Sequence, residues 1–438
     1  MIMHGDVLTL EITETNMLGN GVAKVDGAVV FCRGAIEGDV VTALVTDVKK
    51  NFAEARRLEV IVPSPYRREA RCPYAAVCGG CEFDGVDPEY EKSVKAKGIS
   101  ASFRREGIRI DPPEVVSCGT EGYRNKAVFH FDETGKCGFF AAETHEFVKI
   151  EKCFLCDDKI NEIKNTVEEI LSGEKELSPS DLTYLYIRYM KETDEASVAI
   201  GYTGDANLAD FAKKLARKLP YVKCVVRGEK SSPEAKDERF ELLFGKEEIS
   251  ARAASLDFSV SPASFFQVNV DGACEIAKAV VRFAGLMDGE RAADIYCGAG
   301  LFGLTLAKNA PGAEVYGIEL NADAVRHANE NAKRNGIKNA FFMQGDSSEL
   351  ASKAGIDSLD AAVVDPPRTG LSKKTVCELL ELSPKRIVYV SCNPSTLARD
   401  VKLLSEKYAL CDAVGIDLFG RTKHCEVVAM LSRHFASR

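Results

Sequence analysis

Apolar and polar side chains alternate in short runs over the first part of the chain. The runs "DVLTLEIT", "GVAKVDGAVVFC", "GDVVTALVTDVKK" and "FAEARRLEVIV" each repeat with a period of two, which predicts strands. Gly5, Gly19, Gly21, Gly27, Gly34 and Gly38 punctuate them as turns. Several such strands inside residues 1–62 suit a small barrel of the oligonucleotide/oligosaccharide-binding type. Pro63 and Pro65 mark its end.

Residues 63–261 mix the two periods. A helical stretch covers "DPEYEKSVKAKGISASFRREG". Strand runs ("KAVFHFDE", "KCGFFAAE", "LTYLYIRYM", "ASVAIGYT") alternate with helical ones ("DKINEIKNTVEEILSG", "NLADFAKKLARKL"), which predicts a central α+β unit. From residue 262 to 438 the pattern becomes regular. A helix over "DGACEIAKAVVRFAGL" leads into repeated strand–turn–helix units: "RAADIYCGAGLFGLTLAKNA", "AEVYGIELNADAVRHANENAKRNG" and "RIVYVSCNPSTLARDVKLL". Repeated units of this kind imply a Rossmann-like, doubly wound parallel sheet. There is no internal repeat and no low-complexity tract.

Composition narrows the class. With 438 residues, 45% hydrophobic and 28% charged, the chain is an ordinary globular protein of two or three domains. No apolar run reaches a membrane span and the N-terminus lacks a secretion signal, so a cytoplasmic protein without a membrane partner is expected. The net charge of −9 argues against a nucleic-acid partner. Two local basic runs, "SPYRREAR" and "KAKGISASFRREGIR", argue the other way unless they are simply solvated faces. The 15 cysteines are odd in number, and most are scattered singly. Cys72, Cys78 and Cys81 cluster, and Cys153 and Cys156 follow, which favours a metal or cluster site over a disulfide framework.

The glycine turn at Gly298 and Gly300 is a weak signal alone. Glu319 closes the next strand about 20 residues on, where a carboxylate can accept bonds from ribose hydroxyls. Asp346 ends the third strand, placed for an adenine edge. Gly303 keeps a dinucleotide formally open. Asp365-Pro366-Pro367-Arg368 decides against it. Methyltransferases that use S-adenosylmethionine keep a D/N-P-P at the end of the fourth strand, where the prolines stiffen the turn beside the transferred methyl.

Cys392 ends the fifth strand, at the crevice edge where doubly wound sheets bind ligands. Asn393 and Pro394 end the strand behind it. Cys297 and Cys377 read instead as buried structural thiols. Glu426 opens the last strand, with His424 placed to orient it. A thiolate, a carboxylate and a methyl donor together permit one demanding reaction. Carbon 5 of uracil is too poor a nucleophile to take a methyl group directly. A thiolate added to carbon 6 activates it, and a base then removes the carbon 5 proton.

"CPYAAVCGGC", "SFFQVN", "DIYCGAG", "DPPR", "SCNPSTLARD" and "TKHCE" occur in this order along the chain. With these motifs the chain resembles the bacterial 23S rRNA (uracil-5-)-methyltransferase family, RNA methyltransferases with a TRAM domain and an iron–sulfur cluster. The resemblance implies that Cys392 is the nucleophile and Glu426 the proton-abstracting base. It implies that Gln267, Tyr296, Glu319 and Asp365 contact S-adenosylmethionine, with Gln267 and Asp365 also near the target base. Leu301 departs from members that carry a polar residue after the glycine turn. Spacing leaves zinc and iron–sulfur open for Cys72-x5-Cys78-x2-Cys81. The resemblance favours a structural [4Fe-4S] cluster with Cys153 as fourth ligand, Cys156 being the competitor. It also implies that the N-terminal barrel is a TRAM module that binds RNA. Phe265 and Phe266 could hold a flipped base, or be core. Ribosomal RNA is expected ahead of transfer RNA, because this architecture goes mainly with it, and a monomer is expected. Two other classes compete: an amino-group methyltransferase, which would not need Cys392, and a non-catalytic RNA-binding or iron–sulfur scaffold, which would not need Cys392, Glu426 and Gln267 together.

Overall fold

The period-two runs of the N-terminal region fold as strands Val7–Glu11, Glu14–Thr15, Asn20–Val25, Ala28–Arg33, Val40–Val48 and Phe52–Val62, which form one curled six-stranded sheet. Their inward positions, among them Leu10, Val30, Val41, Val45 and Ala55, make a small core of their own. The chain past Pro63 is tied back to it. The wholly buried Asp39 carboxylate accepts N–H bonds from Ile36 at 2.7 Å, Ser64 at 2.9 Å and the Arg67 guanidinium at 2.7 Å. The structure, a computed structural model, describes residues 2–434 apart from 143, 145, 175, 176, 231 and 233–238.

A seven-stranded sheet occupies the middle of the chain, with Leu182–Met190 and Glu195–Tyr202 at its centre. Helices Asp158–Gly173 and Ala209–Lys218 cover one face through Ile163, Val167, Phe211 and Leu215. The other face, with Tyr186, Ala199 and Val226, packs into the core of the C-terminal domain. A hairpin that the sequence pattern did not announce, Ile249–Ala253 with Leu256–Val260, sits in that same core.

The C-terminal sheet has eight strands: β1 (Val115–Ser117), β2 (Arg291–Ile295), β3 (Glu314–Glu319), β4 (Ala340–Gln344), β5 (Ala361–Val364), β6 (Arg386–Ser391), β7 (Tyr408–Asp417) and β8 (Glu426–Arg433). Their order is β4-β3-β2-β5-β6-β8-β7-β1. Strands β2 to β6 pair in parallel, but β8 runs antiparallel to both β6 and β7. The expected parallel, doubly wound part of the sheet thus runs over β2 to β6, and the closing strand β8 is antiparallel. Only a short loop joins Asp417 to Glu426, and parallel neighbours need a longer crossover.

The span 63–261 is also not one unit. Helix α1 (Pro88–Arg105) and β1 belong to the C-terminal domain: Ile99 and Phe103 of α1 bury in its core, and β1 pairs with β7. Cys297 is buried, as the sequence suggested, but Cys377 is exposed. On helix Lys373–Leu382 its neighbours Val376 and Leu379 take the inward face. Among the described residues no helix is long and apolar enough to cross a membrane.

Candidate active site

Strand order reverses between β2 and β5, and a crevice opens there beyond the carboxyl ends of the strands. It holds a cavity of about 1040 Å³, lined by Gln267, Tyr296, Glu319, Asp365, Cys392 and Glu426. That volume lies at the upper end for a small-molecule site and leaves room for a cofactor beside a nucleoside.

One wall is built by the turn after β2. Gly298 and Gly300 have φ of +53° and +90°, and a Cβ on Gly300 would lie 3.0 Å from Phe342. Tyr296 also sits at φ +68°, a conformation costly for a bulky side chain. Its surroundings hold it there: its N–H donates to the Ile318 carbonyl at 3.0 Å, and its hydroxyl meets Ser347 at 2.9 Å and Thr375 at 3.2 Å. Glu319 receives the Gly298 N–H at 3.2 Å on one oxygen and the Asn321 N–H at 2.9 Å on the other. Asp346 stands exposed at the rim with Oδ1 taken by Ser348. Leu301 lines the cavity with an apolar side chain.

The opposite wall carries the thiol and the carboxylate. β6 and β8 pair antiparallel up to Ser391 opposite Val427; Cys392 follows directly after β6 and Glu426 opens β8, so the two come to the same end of one strand pair and both line the cavity. The charge of Glu426 is felt at Cys392.

Burial drives the electrostatics here. Withdrawal from water pushes the Glu426 carboxyl up to about 8; the Asp365 charge adds to this and Arg368 opposes it. Burial lifts Asp365 to about 7, helped by the charge of Asp294, which lies wholly buried on β2. Burial, then Glu426, raises the Cys392 thiol, and the Arg368 guanidinium pulls it back by charge and by hydrogen bond. Arg368 is a cation that opposes both rises, a role the sequence reading did not assign to it. His424 makes no hydrogen bond to Glu426 among the described residues; it packs edge-on against Phe419, ring centres 5.9 Å apart.

The rest of "SCNPSTLARD" fixes the Asp-Pro-Pro-Arg turn. Asn393 Nδ2 and the Thr396 hydroxyl donate to the Arg368 carbonyl at 3.3 and 3.4 Å. The fully buried Asp400 accepts the Leu371 N–H and the Tyr389 hydroxyl, each at 2.7 Å. Gln267 is held through its backbone: its carbonyl accepts Asn125 Nδ2 at 2.8 Å, and Asn125 N–H donates to Val268 at 2.8 Å. Beside it Phe265 is 75% exposed at the cavity, whereas Phe266 is buried against Phe258.

The family described as tRNA (uracil-5-)-methyltransferase matches residues 89–434. The chain belongs to this family. A TRAM domain matches residues 2–58, the curled N-terminal sheet. An uncharacterized RNA methyltransferase of Bacillus cereus is 33% identical over 95% of this chain and 94% of its own length. One from Clostridium acetobutylicum is 32% identical over 96% of both. Among solved structures, the tRNA (uracil-54, C5)-methyltransferase of Pyrococcus abyssi in complex with S-adenosyl-L-homocysteine superposes with a TM-score of 0.78. It is 28% identical and covers 97% of this chain and all of its own. The protein is an RNA (uracil-5-)-methyltransferase with a TRAM domain and a Rossmann-like catalytic fold.

Cys72, Cys78, Cys81, Cys153 and Cys156 do not line the cavity, although Arg124, which does, feels the charges of Cys153 and Cys156. Cys72, Cys78 and Cys81 each feel the charge of Cys153, which places the four thiols within electrostatic reach of one another. Cys156 is buried and hydrogen-bonds Cys153, which drops to about 6. Among the described residues no three His, Cys, Asp or Glu side chains stand close enough to hold a metal ion as arranged.

Proposed function

We propose that the protein methylates carbon 5 of a uridine in RNA by covalent catalysis, with Cys392 as nucleophile and Glu426 as base. The observation that carries the reading is that Cys392, directly after β6, and Glu426, at the start of the neighbouring β8, line one cofactor-sized cavity together. S-adenosylmethionine supplies the methyl group as an electrophile. Glu319 is suited to its ribose hydroxyls, and Tyr296, Asp365 and Gln267 line the rest of its site, the last two reaching toward the base. The Cys392 thiolate adds to carbon 6, and the C5–C6 π pair that this displaces makes carbon 5 nucleophilic. After methylation Glu426 takes the proton from carbon 5. The electrons of that C–H bond re-form the ring double bond and expel the thiolate. A carboxylate whose pKa is raised to about 8 is a stronger base for this proton than an ordinary one.

Cys392→Ala should bind RNA and cofactor yet give no product. Glu426→Gln should accumulate a methylated covalent protein–RNA adduct, resolved by denaturing gel and mass spectrometry. Normal turnover by either variant would end this reading, and an amino-group methyltransferase would be untouched by Cys392→Ala.

Ribosomal RNA is the substrate we propose, with the protein acting as a monomer. The whole-length likeness to an archaeal enzyme named for transfer RNA supports the second substrate reading. Nucleoside mass spectrometry of ribosomal and transfer RNA, fractionated from cells with and without the gene, separates the two. A [4Fe-4S] cluster on Cys72, Cys78, Cys81 and Cys153 completes the proposal. Four sulfur donors from two segments suit it, and with every iron held by protein its role is structural.

A further inference from the structure

The loop from Leu418 to Cys425 leads into Glu426, and three of its backbone groups, the Arg421 N–H and carbonyl and the Lys423 N–H, are bonded to one stretch of chain. That stretch starts at Glu82, directly after Cys81. Glu82 Oε2 accepts the Lys423 N–H at 3.1 Å, and its other oxygen pairs with Lys423 Nζ at 2.9 Å. Phe83 N–H donates to the Arg421 carbonyl at 3.0 Å. Arg421, held at φ +72°, donates its own N–H to Glu91 at 2.9 Å and its guanidinium to the Val86 carbonyl at 3.0 Å. Beneath these contacts lies a buried ion triad. Lys95, with no exposed surface, meets Glu91 at 2.6 Å and Asp417 at 2.8 Å, and Asp417 accepts the Phe419 N–H at 3.3 Å.

The geometry points to the segment Glu82–Glu91 as a strut that positions the catalytic base, with Glu82 as its key positioning residue. The inference rests on the catalytic reading above and deepens it. Glu82 holds Lys423, three residues before Glu426, whereas Cys392 directly follows β6, where Asn393 and Thr396 are bonded to the Arg368 carbonyl rather than to this loop. Loosening the strut therefore moves the base and leaves the nucleophile in place. The two halves of the reaction then come apart. Formation of the C6–S bond and of the C5–methyl bond is kept. What slows is the elimination, in which the C5–H pair forms the C5–C6 double bond, the C6–S pair returns to Cys392 and the proton goes to Glu426.

The test compares Glu82→Ala, Glu82→Gln and Lys423→Met in the full-length protein with unmodified RNA and S-adenosylmethionine, following covalent adduct and released product together. Glu82→Ala should form adduct at the wild-type rate and release product roughly 10–100-fold more slowly, so that methylated adduct accumulates. Glu82→Gln, which keeps an acceptor for the Lys423 N–H, should restore release to within about threefold, and Lys423→Met, which keeps that backbone bond, should match it. Adduct and product falling together by one factor in Glu82→Ala, or release unchanged in it, would overturn the strut. If Glu82→Ala does not fold, Glu82→Leu takes its place: it fills the same space and removes the same acceptor, so it should slow release without slowing adduct formation, and wild-type release in it would overturn the proposal. A wild-type control with 5-fluorouridine RNA separates this from the parent reading. Fluorine cannot leave as a proton does, so the wild-type protein should itself stall as an adduct through Cys392. A wild-type protein that never forms that adduct refutes the catalytic reading rather than the strut.

Discussion

Replacing Arg368 with methionine removes a cation that opposes the upward shifts of both Cys392 and Glu426. The backbone carbonyl of residue 368 still accepts from Asn393 and Thr396, so the turn keeps its anchors. A hydrogen bond to a charged group contributes about 1.5–3 kcal/mol. Arg368 is exposed, and solvent screening brings its effect to the bottom of that range. One pKa unit corresponds to about 1.4 kcal/mol, so the Cys392 thiol should titrate about one unit higher in the variant. Both groups act deprotonated, so both shifts have the same sign. The wild-type rate should rise with pH through about 8, where Glu426 loses its proton. The variant's rise should come later, with methylation about tenfold slower near neutral pH and the gap closing above the shifted pKa. The direct assay is the pH dependence of iodoacetamide alkylation of the Cys392 peptide, read by mass spectrometry, beside methyl transfer from labelled S-adenosylmethionine. An unchanged Cys392 alkylation profile would refute the electrostatic role. A loss of methylation equal at every pH would do the same, since it would place Arg368 on the RNA rather than on the thiol.

Four other outcomes follow from single contacts. Gly300→Ala forces a Cβ against Phe342 at a φ of +90° and should cost about 1–3 kcal/mol in thermal or urea unfolding while weakening S-adenosylmethionine binding by calorimetry. Asp400→Asn should lower the melting temperature by removing a buried charged acceptor, a loss of about 1–3 kcal/mol, and should lower methylation because the turn at Asp365 loosens. Lys95→Met strands Glu91 and Asp417 without their cation and should cost about 3–5 kcal/mol, measured by denaturant unfolding. Anaerobically purified protein should carry iron and sulfide, lost in Cys72→Ser, Cys78→Ser, Cys81→Ser and Cys153→Ser but retained in Cys156→Ser, by metal analysis and absorbance.

Legibility in the sequence follows the range of the interactions concerned. The strand runs of the barrel and the strand–turn–helix units were readable because a buried face imposes its period on the residues themselves. Tyr296, Glu319, Asp365 and Cys392 were readable for a related reason: each ends a strand, and parallel strands bring their ends to one edge. What escaped is whatever depends on two distant segments meeting. Strand β1 is three residues long and has no pattern of its own; only β7 makes it a strand. Helix α1 reads as a helix of the central region until Ile99 and Phe103 are seen to bury elsewhere. Arg368 looks like a solvent-facing residue of a proline turn, and its influence on Cys392 exists only because β5 and β6 are neighbours. Lys423 and Glu82 lie more than 300 positions apart and carry no motif that joins them. The cysteines fall between these cases, since spacing announced a thiol site without choosing its ligands. A crevice assembled from strand ends is thus half declared by its sequence: the side chains at the strand ends announce themselves, and the distant segments bonded around them do not.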